Sequence, residues 1–420
     1  MHSFQKIYLA LFVALLALNA CSNETTTEST ETSLPEEAKS LTNLTVFPEN
    51  TEPQFDIELI AEQNFGEPDS IYISHVKDII TDDQNRVIIA DGAYGKCKIH
   101  VFNPDGSYLK TVGRNGRGPG EFLSLEKLFI LNNNLYVLDR NMQRISVFSL
   151  SSFELLKTID TKPDYLQQIE GLQSSSPYDF YLRDDGNFLV GLGDPRQIQK
   201  EDIREDSKYY IFNEEWEINS EQIFSRIPYQ YFYSATNNSP SISTYSFMNR
   251  SLMDVAKDGA IFSAWSQNIL IKVHDPNGNY LRSFYYPFTH SKLNEDDIIN
   301  RFDEAWKENN QEGIKRWKAR ARTVDYPEIW PAIHDLVVDD ENRIWIATIT
   351  DSKTHFEWWV LDEHGKLLAK FDWPGKKVGE NIGYGKTMKI NNGYLYNYIF
   401  QKHDGSRLVT RYRIELKPKS

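Results

Sequence analysis

The sequence has 420 residues, a formal net charge of −14 at pH 7, and 23 tyrosines and 23 phenylalanines. An acidic chain is repelled by the phosphate backbone, so we expect no nucleic-acid partner. The length allows two or three average domains, but repeat folds often run this long as one domain. The many aromatic side chains favour a β-rich fold.

Residues 1–20 predict an export signal. Lys6 precedes an apolar run, Ile7–Leu18, that is too short to remain as a transmembrane helix. The run ends in Leu18-Asn19-Ala20-Cys21, which resembles the lipobox of bacterial lipoproteins. That resemblance implies cleavage before Cys21, lipidation of its thiol and a membrane as partner through the anchor. The alternative is an ordinary secretory signal followed by a chance cysteine.

The residue after Cys21 is Ser22 rather than aspartate, which in lipoproteins implies sorting to the outer membrane, with the protein facing the periplasm or the cell surface. With Cys21 acylated, Cys97 has no partner for an intramolecular disulfide. Residues 21–43 are rich in Thr, Ser and Glu and predict a flexible tether, since they cannot bury enough apolar surface to fold. The globular domain is predicted over residues 44–420.

A turn flanked by β-rich runs recurs along this domain. It occurs at Asp83–Asn85, Asn132–Asn134, Asp185–Asn187, Asp258–Ala260, Asp340–Asn342 and Asn391–Gly393. The strands that follow read VIIAD, LYVLD, FLVGL, IFSAW, IWIAT and YLYNY. A second turn appears in most units, at Pro104–Gly106, Pro276–Gly278 and Glu363–Gly365. Six β units of roughly 50 residues predict an all-β, six-bladed β-propeller.

The sixth unit ends one strand short. Its second and third strands are predicted at Tyr394–Phe400 and Leu408–Leu416. An unassigned alternating stretch near the N-terminus, Phe55–Glu62, supplies the missing outer strand and closes the ring. Closure of this kind leaves only short, protected sheet edges.

Two insertions interrupt the pattern. Asn294 predicts an N-cap, and apolar residues at helical spacing follow it, so residues 291–325 predict a helical hairpin between blades four and five. The second insertion, Tyr229–Asn249, is rich in Tyr, Ser and Asn. We expect both insertions to lie over one face of the ring.

The first unit carries the most specific motifs, a VFxPDG element and the segment GRGPGEF around Arg117. These resemble NHL-type repeats, and the chain from Leu44 onward is similar to the six-bladed β-propeller lipoproteins of bacteria. The resemblance implies a fold and a cell-envelope location. It implies no single chemistry, because propellers carry many unrelated functions.

Four residues are candidate metal ligands. His75 and Asp78, and likewise His334 and Asp335, stand at the start of predicted inner strands, near the mouth of the central channel. Such side chains could hold calcium or zinc, which would make the protein a metal-dependent, lactonase-like hydrolase or lyase. The alternative is that the histidines cap turns or line a wet channel. No paired-ligand motif supports the metal, so no cofactor is assigned and catalysis is not the leading prediction.

The leading prediction is a lipid-anchored binding or assembly module for an envelope protein, a peptide or a glycan. Exposed aromatic side chains favour recognition of such ligands. The candidate ligand-binding residues are Tyr231, Tyr233, Tyr245, Trp330 and Arg117. The alternatives are that the aromatic residues pack the insertions onto the ring, and that the glycines around Arg117 only make a crossing between blades.

Overall fold

The fold was analysed in a computed structural model. It describes residues 34–66, 71–92, 95–161, 164–193, 207–230, 232–236, 239–296, 298–299, 326–375, 377, 388–400 and 407–419, with single positions at 312, 315, 318–319 and 322. The chain forms two compact units, Met1–Lys39 and Ser40–Ser420. The described part of the first contains a one-turn helix, Glu36–Lys39. None of the described helices is long and apolar enough to cross a membrane.

Six blade sheets form the ring of the second unit, antiparallel apart from one added edge strand in the fourth, and in five of them the four repeated strands follow one another in chain order from the inside outward. The strands of the first three blades are β3 (Val76–Thr81), β4 (Val87–Asp91), β5 (Lys98–Phe102) and β6 (Tyr108–Val112); β9 (Leu125–Leu131), β10 (Asn134–Asp139), β11 (Arg144–Ser149) and β12 (Leu155–Asp160); and β13 (Ser176–Leu182), β14 (Phe188–Gly193), β15 (Ser207–Phe212) and β16 (Phe224–Arg226).

The fourth to sixth blades repeat this arrangement. Their strands are β19 (Ser251–Val255), β20 (Ile261–Trp265), β21 (Ile269–His274) and β22 (Tyr280–Tyr286); β23 (Ile333–Val338), β24 (Ile344–Thr348), β25 (His355–Leu361) and β26 (Leu367–Pro374); and β27 (Met388–Asn391), β28 (Tyr394–Phe400), β29 (Arg407–Pro418) and β2 (Phe55–Phe65). The prediction of an all-β, six-bladed architecture is confirmed.

The recurring turns form because their side chains satisfy the backbone. Asp82 accepts hydrogen bonds from the backbone N–H groups of Gln84 and Arg86, and Asn85 adopts the left-handed conformation at φ 58°. In the second turn of the first blade, Gly106 has φ 84°, and a Cβ there would lie 2.0 Å from the Gln63 side chain. Only glycine fits that position without strain.

The N-terminal strand closes the ring, as predicted. β2 pairs antiparallel with β29, and Glu58 and Lys417 form a cross-strand ion pair at 2.5 Å. Phe65, at the end of β2, is fully buried and packs edge to face against Phe102 of the first blade. The strand therefore joins the first and last blades.

A short strand that was not predicted widens the fourth blade. β1 (Leu44–Val46) pairs in parallel with β22 and makes this blade five-stranded. In the Tyr-rich insertion, β17 (Phe232–Thr236) and β18 (Ser239–Ser243) form a two-stranded sheet, and β7 (Arg114–Asn115) and β8 (Glu121–Phe122) pair in parallel within the glycine-rich loop.

The helical hairpin predicted over residues 291–325 is not supported. Most of that range lies outside the described residues, and only isolated positions such as Glu295, Ile298 and Lys318 have helical backbone. No complete helix is present among the residues that the structure does describe there.

An apolar cluster fills each of the six interfaces between neighbouring blades. The cluster between blades one and two includes Ile99, Phe122 and Phe148, whereas the one between blades three and four contains only four buried residues, Leu189, Tyr209, Met253 and Ile261. Blades three and four must therefore be held together partly by other interactions.

Candidate functional site

Strand direction alternates within each blade, so the inner strands of all blades begin at one end of the ring, which we call the upper face. Four of the six inner strands carry a β-bulge at this end. The extra residues are Lys77, Glu126, Tyr178 and His334, and each is followed by a charged residue: Asp78, Lys127, Asp179 and Asp335 respectively. Bulges re-aim side chains, so in these four blades a charged residue follows the bulge at the upper end of the inner strand.

The predicted metal ligands do not converge. The His334 ring stacks on Phe356 at 4.2 Å, and His75 is exposed at the start of the first blade. These residues belong to blades five and one, which the sixth blade separates. Among the described residues, no three His, Cys, Asp or Glu side chains are grouped so that they could hold a metal ion.

The two predicted aspartates are engaged by backbone amides instead. Asp78 accepts hydrogen bonds from Ile79 N at 2.9 Å and from Leu128 N, in the next blade, at 2.8 Å. Asp335 accepts one from Leu336 N at 2.8 Å. Asp78 is half-buried, and burial raises the pKa of its carboxyl although Lys389 opposes the shift.

Asp179 is the centre of a buried ionic cluster between blades two, three and four. Its carboxylate accepts five hydrogen bonds within 3.3 Å, and the donors are Lys127 Nζ, the Phe180 amide, the Tyr181 and Tyr209 hydroxyls and Arg226 Nη2. Burial disfavours the ionised acid, but Lys127 and Arg226 outweigh it and hold the pKa of Asp179 below its usual range. Burial and the Asp179 charge raise the pKa of both tyrosines.

The side chains of this cluster bind one another and the backbone, which favours a structural role over a catalytic one. Arg226 also donates to Ser251 O at 2.9 Å, and the Tyr181 hydroxyl oxygen lies 3.3 Å from Met253 O, so both side chains reach the fourth blade. Gly191 packs against the Tyr209 ring of this cluster. A Cβ at position 191 would lie 2.9 Å from that ring, so a larger residue there would displace it. The cluster joins the two blades whose shared apolar cluster is smallest. Sequence reasoning missed it, since Asp179 and Arg226 belong to different strands.

Side chains of the protein itself already form hydrogen bonds with the glycine-rich loop. Arg117 is exposed, as expected for a ligand-binding residue. However, Glu121 accepts hydrogen bonds from Gly118 N at 2.8 Å and from Arg114 Nε at 2.7 Å. Arg144 Nη2 donates to Gly118 O at 2.8 Å. An external anion at these amides would have to displace a carboxylate that is already bound, which favours the crossing interpretation.

The predicted aromatic ligand-binding residues have different surroundings. Trp330 is only 2% exposed and packs with Phe247, so the prediction that it contacts a ligand is not supported. Tyr245 is half-buried and stacks on Phe247 at 5.1 Å. Tyr231 lies outside the described residues, and for Tyr233 only the backbone is described. The described rings therefore pack the insertion onto the blades.

A polar cleft lies at the upper face between blades four and five. It has a volume of about 320 Å³. One wall is the segment after β22, the other comes from blade five, and Glu49 follows β1. The lining residues are Glu49, Pro287, Phe288, Thr289, His290, Ser291, Thr350, Asp351, Glu357, Trp359 and Lys370. No local sequence pattern predicts this cleft, because its lining residues come from five separate segments.

Two groups of contacts fix the cleft walls. Ser291 donates to Asp351 Oδ1 at 2.7 Å and accepts a hydrogen bond from Lys377 Nζ at 3.1 Å. Trp359 Nε1 donates to Glu357 Oε1 at 2.6 Å, and Lys370 Nζ lies 3.7 Å from the centre of the Trp359 ring. Burial lowers the pKa of Lys370, while Glu357 opposes that change.

Comparisons with known proteins agree with this architecture. A family model described as a 6-bladed beta-propeller matches residues 57–262. The chain is a six-bladed β-propeller. No curated protein matches the sequence of this propeller.

Solved structures resemble the propeller over most of its length. A candidate exported protein from Bacteroides fragilis is 14% identical with a TM-score of 0.50, covering 89% of this chain and 99% of that one. A DUF4221-family member from Bacteroides vulgatus is 13% identical with a TM-score of 0.50, covering 87% and 100%. A regucalcin from Agrobacterium tumefaciens is 10% identical over 89% and 97%, with a TM-score of 0.40. At these identities the two Bacteroides structures show the fold alone.

Proposed function

We propose that the protein is a lipid-anchored cell-envelope propeller that binds a ligand in the cleft between blades four and five. The observation that carries the proposal is the cleft itself, about 320 Å³ in volume, with charged, hydroxyl and aromatic side chains facing one space. Binding sites are typically concave and combine apolar surface with a few positioned polar groups. The ligand classes considered are an envelope protein, a peptide and a glycan.

The envelope location is supported by the sequence Leu18-Asn19-Ala20-Cys21 and by the tether after it. The description of the Bacteroides fragilis structure as a candidate exported protein is consistent with it. An acyl chain on Cys21 would hold the propeller at a membrane, and Ser22 favours the outer membrane. The metal-dependent alternative has no comparable support, because its four candidate ligands do not converge.

The anchor is tested by metabolic labelling of the full chain with radioactive palmitate. We expect label on the wild type and on Cys97→Ser, but none on Cys21→Ser. The two variants each remove one of the two cysteines, so they are matched. Unlabelled wild-type protein, or label that survives Cys21→Ser, would refute the anchor.

The binding role is tested with the full chain in mild detergent. Thermal-shift screens against neutral oligosaccharides, peptides and fractionated envelope extract should yield a ligand whose binding Thr289→Trp abolishes, because the indole fills the cleft. Thr158→Trp, exposed on the outer strand of blade two, is the control. The proposal fails if no class binds, or if both variants bind alike.

A further inference from the structure

We infer that the cleft accepts an uncharged, hydroxyl-rich ligand, namely a saccharide. The inference rests on the binding role proposed above and narrows its ligand class. It is carried by three features of the cleft: the presence of both signs of charge, the mixture of hydrogen-bond donors and acceptors, and a fixed aromatic surface.

Charges of both signs line the cleft. The carboxylates of Glu49, Asp351 and Glu357 share it with the Lys370 ammonium, and Lys377 donates a hydrogen bond to Ser291 Oγ. An anionic ligand would meet three carboxylates, and a strongly cationic one would meet Lys370. A neutral ligand avoids both repulsions, since like charges brought together in a cleft are costly.

Hydrogen-bonding groups in the cleft suit hydroxyls. Among the described residues, nothing donates to Asp351 Oδ2 or Glu357 Oε2, while the other oxygen of each is held by Ser291 and Trp359. Each carboxylate is thus held in place through one oxygen, and its second oxygen can accept a hydrogen bond from a ligand. Thr289 and Lys370 add groups that can donate, while His290, whose Nδ1 donates to Trp330 O at 3.1 Å, offers Nε2 as an acceptor. A sugar hydroxyl both donates and accepts, so it can use both kinds of partner.

The cleft also contains an aromatic ring whose orientation is fixed by its contacts. Phe288 is half-buried and makes edge-to-face contacts with Trp359, at 6.3 Å, and with His290, at 5.9 Å. Because these contacts hold the ring, it loses little freedom when a ligand packs on it. The carbon face of a pyranose ring is a suitable partner for such a surface.

The test is an array of neutral oligosaccharides (glucans, mannans, galactans and N-acetylglucosamine oligomers) beside an array of basic peptides, probed with the full chain. We expect binding to an oligosaccharide series. Glu357→Gln and Asp351→Asn should each lower the affinity about tenfold or more, since a bond to a charged acceptor is lost. In both variants the amide oxygen can still accept the bond from Trp359 or Ser291, so folding is retained.

The control is Glu341→Gln, the same change at an exposed position at the opposite end of blade five, which should leave affinity unchanged. Affinity for a neutral sugar should also be the same at 0.05 and about 0.5 M salt, whereas screening would weaken a basic peptide. Preferential, salt-sensitive binding of basic peptides that Thr289→Trp abolishes would overturn the ligand class yet leave the binding role intact. Sugar binding insensitive to both cleft variants, or none on the array, would also overturn the inference.

Discussion

At the scale of single residues, several buried aspartates have a structural role in the blades. Asp91 is fully buried and accepts hydrogen bonds from the backbone amides of Ser74 and His75, where the inner strand of its blade begins. Asp139 does the same for Leu123 and Ser124 in blade two. The recurring aspartate after VIIA and LYVL is therefore a structural feature of the repeat, because buried amides need acceptors.

Replacing Asp179 should destabilise the propeller strongly. Asp179→Asn leaves Lys127 and Arg226 without their anion, and breaking a buried ion pair from one side costs about 3–5 kcal/mol. Denaturant unfolding monitored by tryptophan fluorescence measures the loss. Asp184→Asn, exposed in the next turn of the same blade, should change the free energy of unfolding by less than about 0.5 kcal/mol. Equal effects of the two variants would contradict the assigned role.

Asp91 should make stability depend on pH in the acid range. Burial opposes its ionisation, but the nearby His100 ring, at 3.7 Å, and hydrogen bonds from Ser74 and His75 lower the pKa of Asp91 to about 2. Because the folded value lies below the unfolded one, the stabilisation is complete above about pH 4 and disappears as pH falls through about 2. The wild type should therefore lose about 2 kcal/mol more between pH 5 and 2 than Asp91→Asn does. Parallel pH profiles would refute the shift.

At the scale of elements, the strands and turns could be read from the sequence, but their irregularities could not. Alternating residues and turn chemistry are local signals, and they predicted all six repeats and the role of Phe55–Glu62. The bulges at Lys77 and His334 depend on how two strands are paired, and β1 depends on a parallel partner more than 200 residues away. Neither the bulges nor β1 can therefore be predicted from the residues next to them in the sequence.

Phe65 should be the most sensitive position on the closing strand. It is fully buried and contacts aromatic rings on both sides, Phe102 of blade one and Tyr396 of blade six. Phe65→Ala should cost about 3–5 kcal/mol, since a large buried ring leaves a cavity. Leu156→Ala, 57% exposed on the outer strand of blade two, should cost less than about 0.5 kcal/mol. Thermal and urea unfolding compare the two variants, and similar losses would show that the strand end does not join the blades.

At the scale of the whole molecule, the ring explains what the sequence could and could not reveal about a site. The metal prediction placed His75 and His334 correctly at strand starts, but residues in blades one and five are held apart by the sixth blade. The cleft unites Glu49 with Lys370, which lie far apart in the chain. Only the closed ring brings such residues together, so the cleft could not be inferred from the spacing of residues along the sequence.

Closure by the N-terminal strand should control the cooperativity of the whole propeller. A chain beginning at Gly66 leaves β29 as an open edge and exposes the partners of Phe65, so we expect a broad thermal transition and association on size-exclusion chromatography. A peptide with the sequence of Phe55–Phe65 should restore a single sharp transition by adding back the strand.

The control peptide carries Ile57→Asp and Leu59→Asp. Both side chains are partly buried against the cluster between blades five and six, so charges there prevent docking while leaving the backbone able to pair. Rescue by the natural peptide alone would show that side-chain packing and backbone pairing together close the ring. A truncated chain that melts as sharply as the wild type would instead mean that the interfaces between the blades suffice without the closing strand.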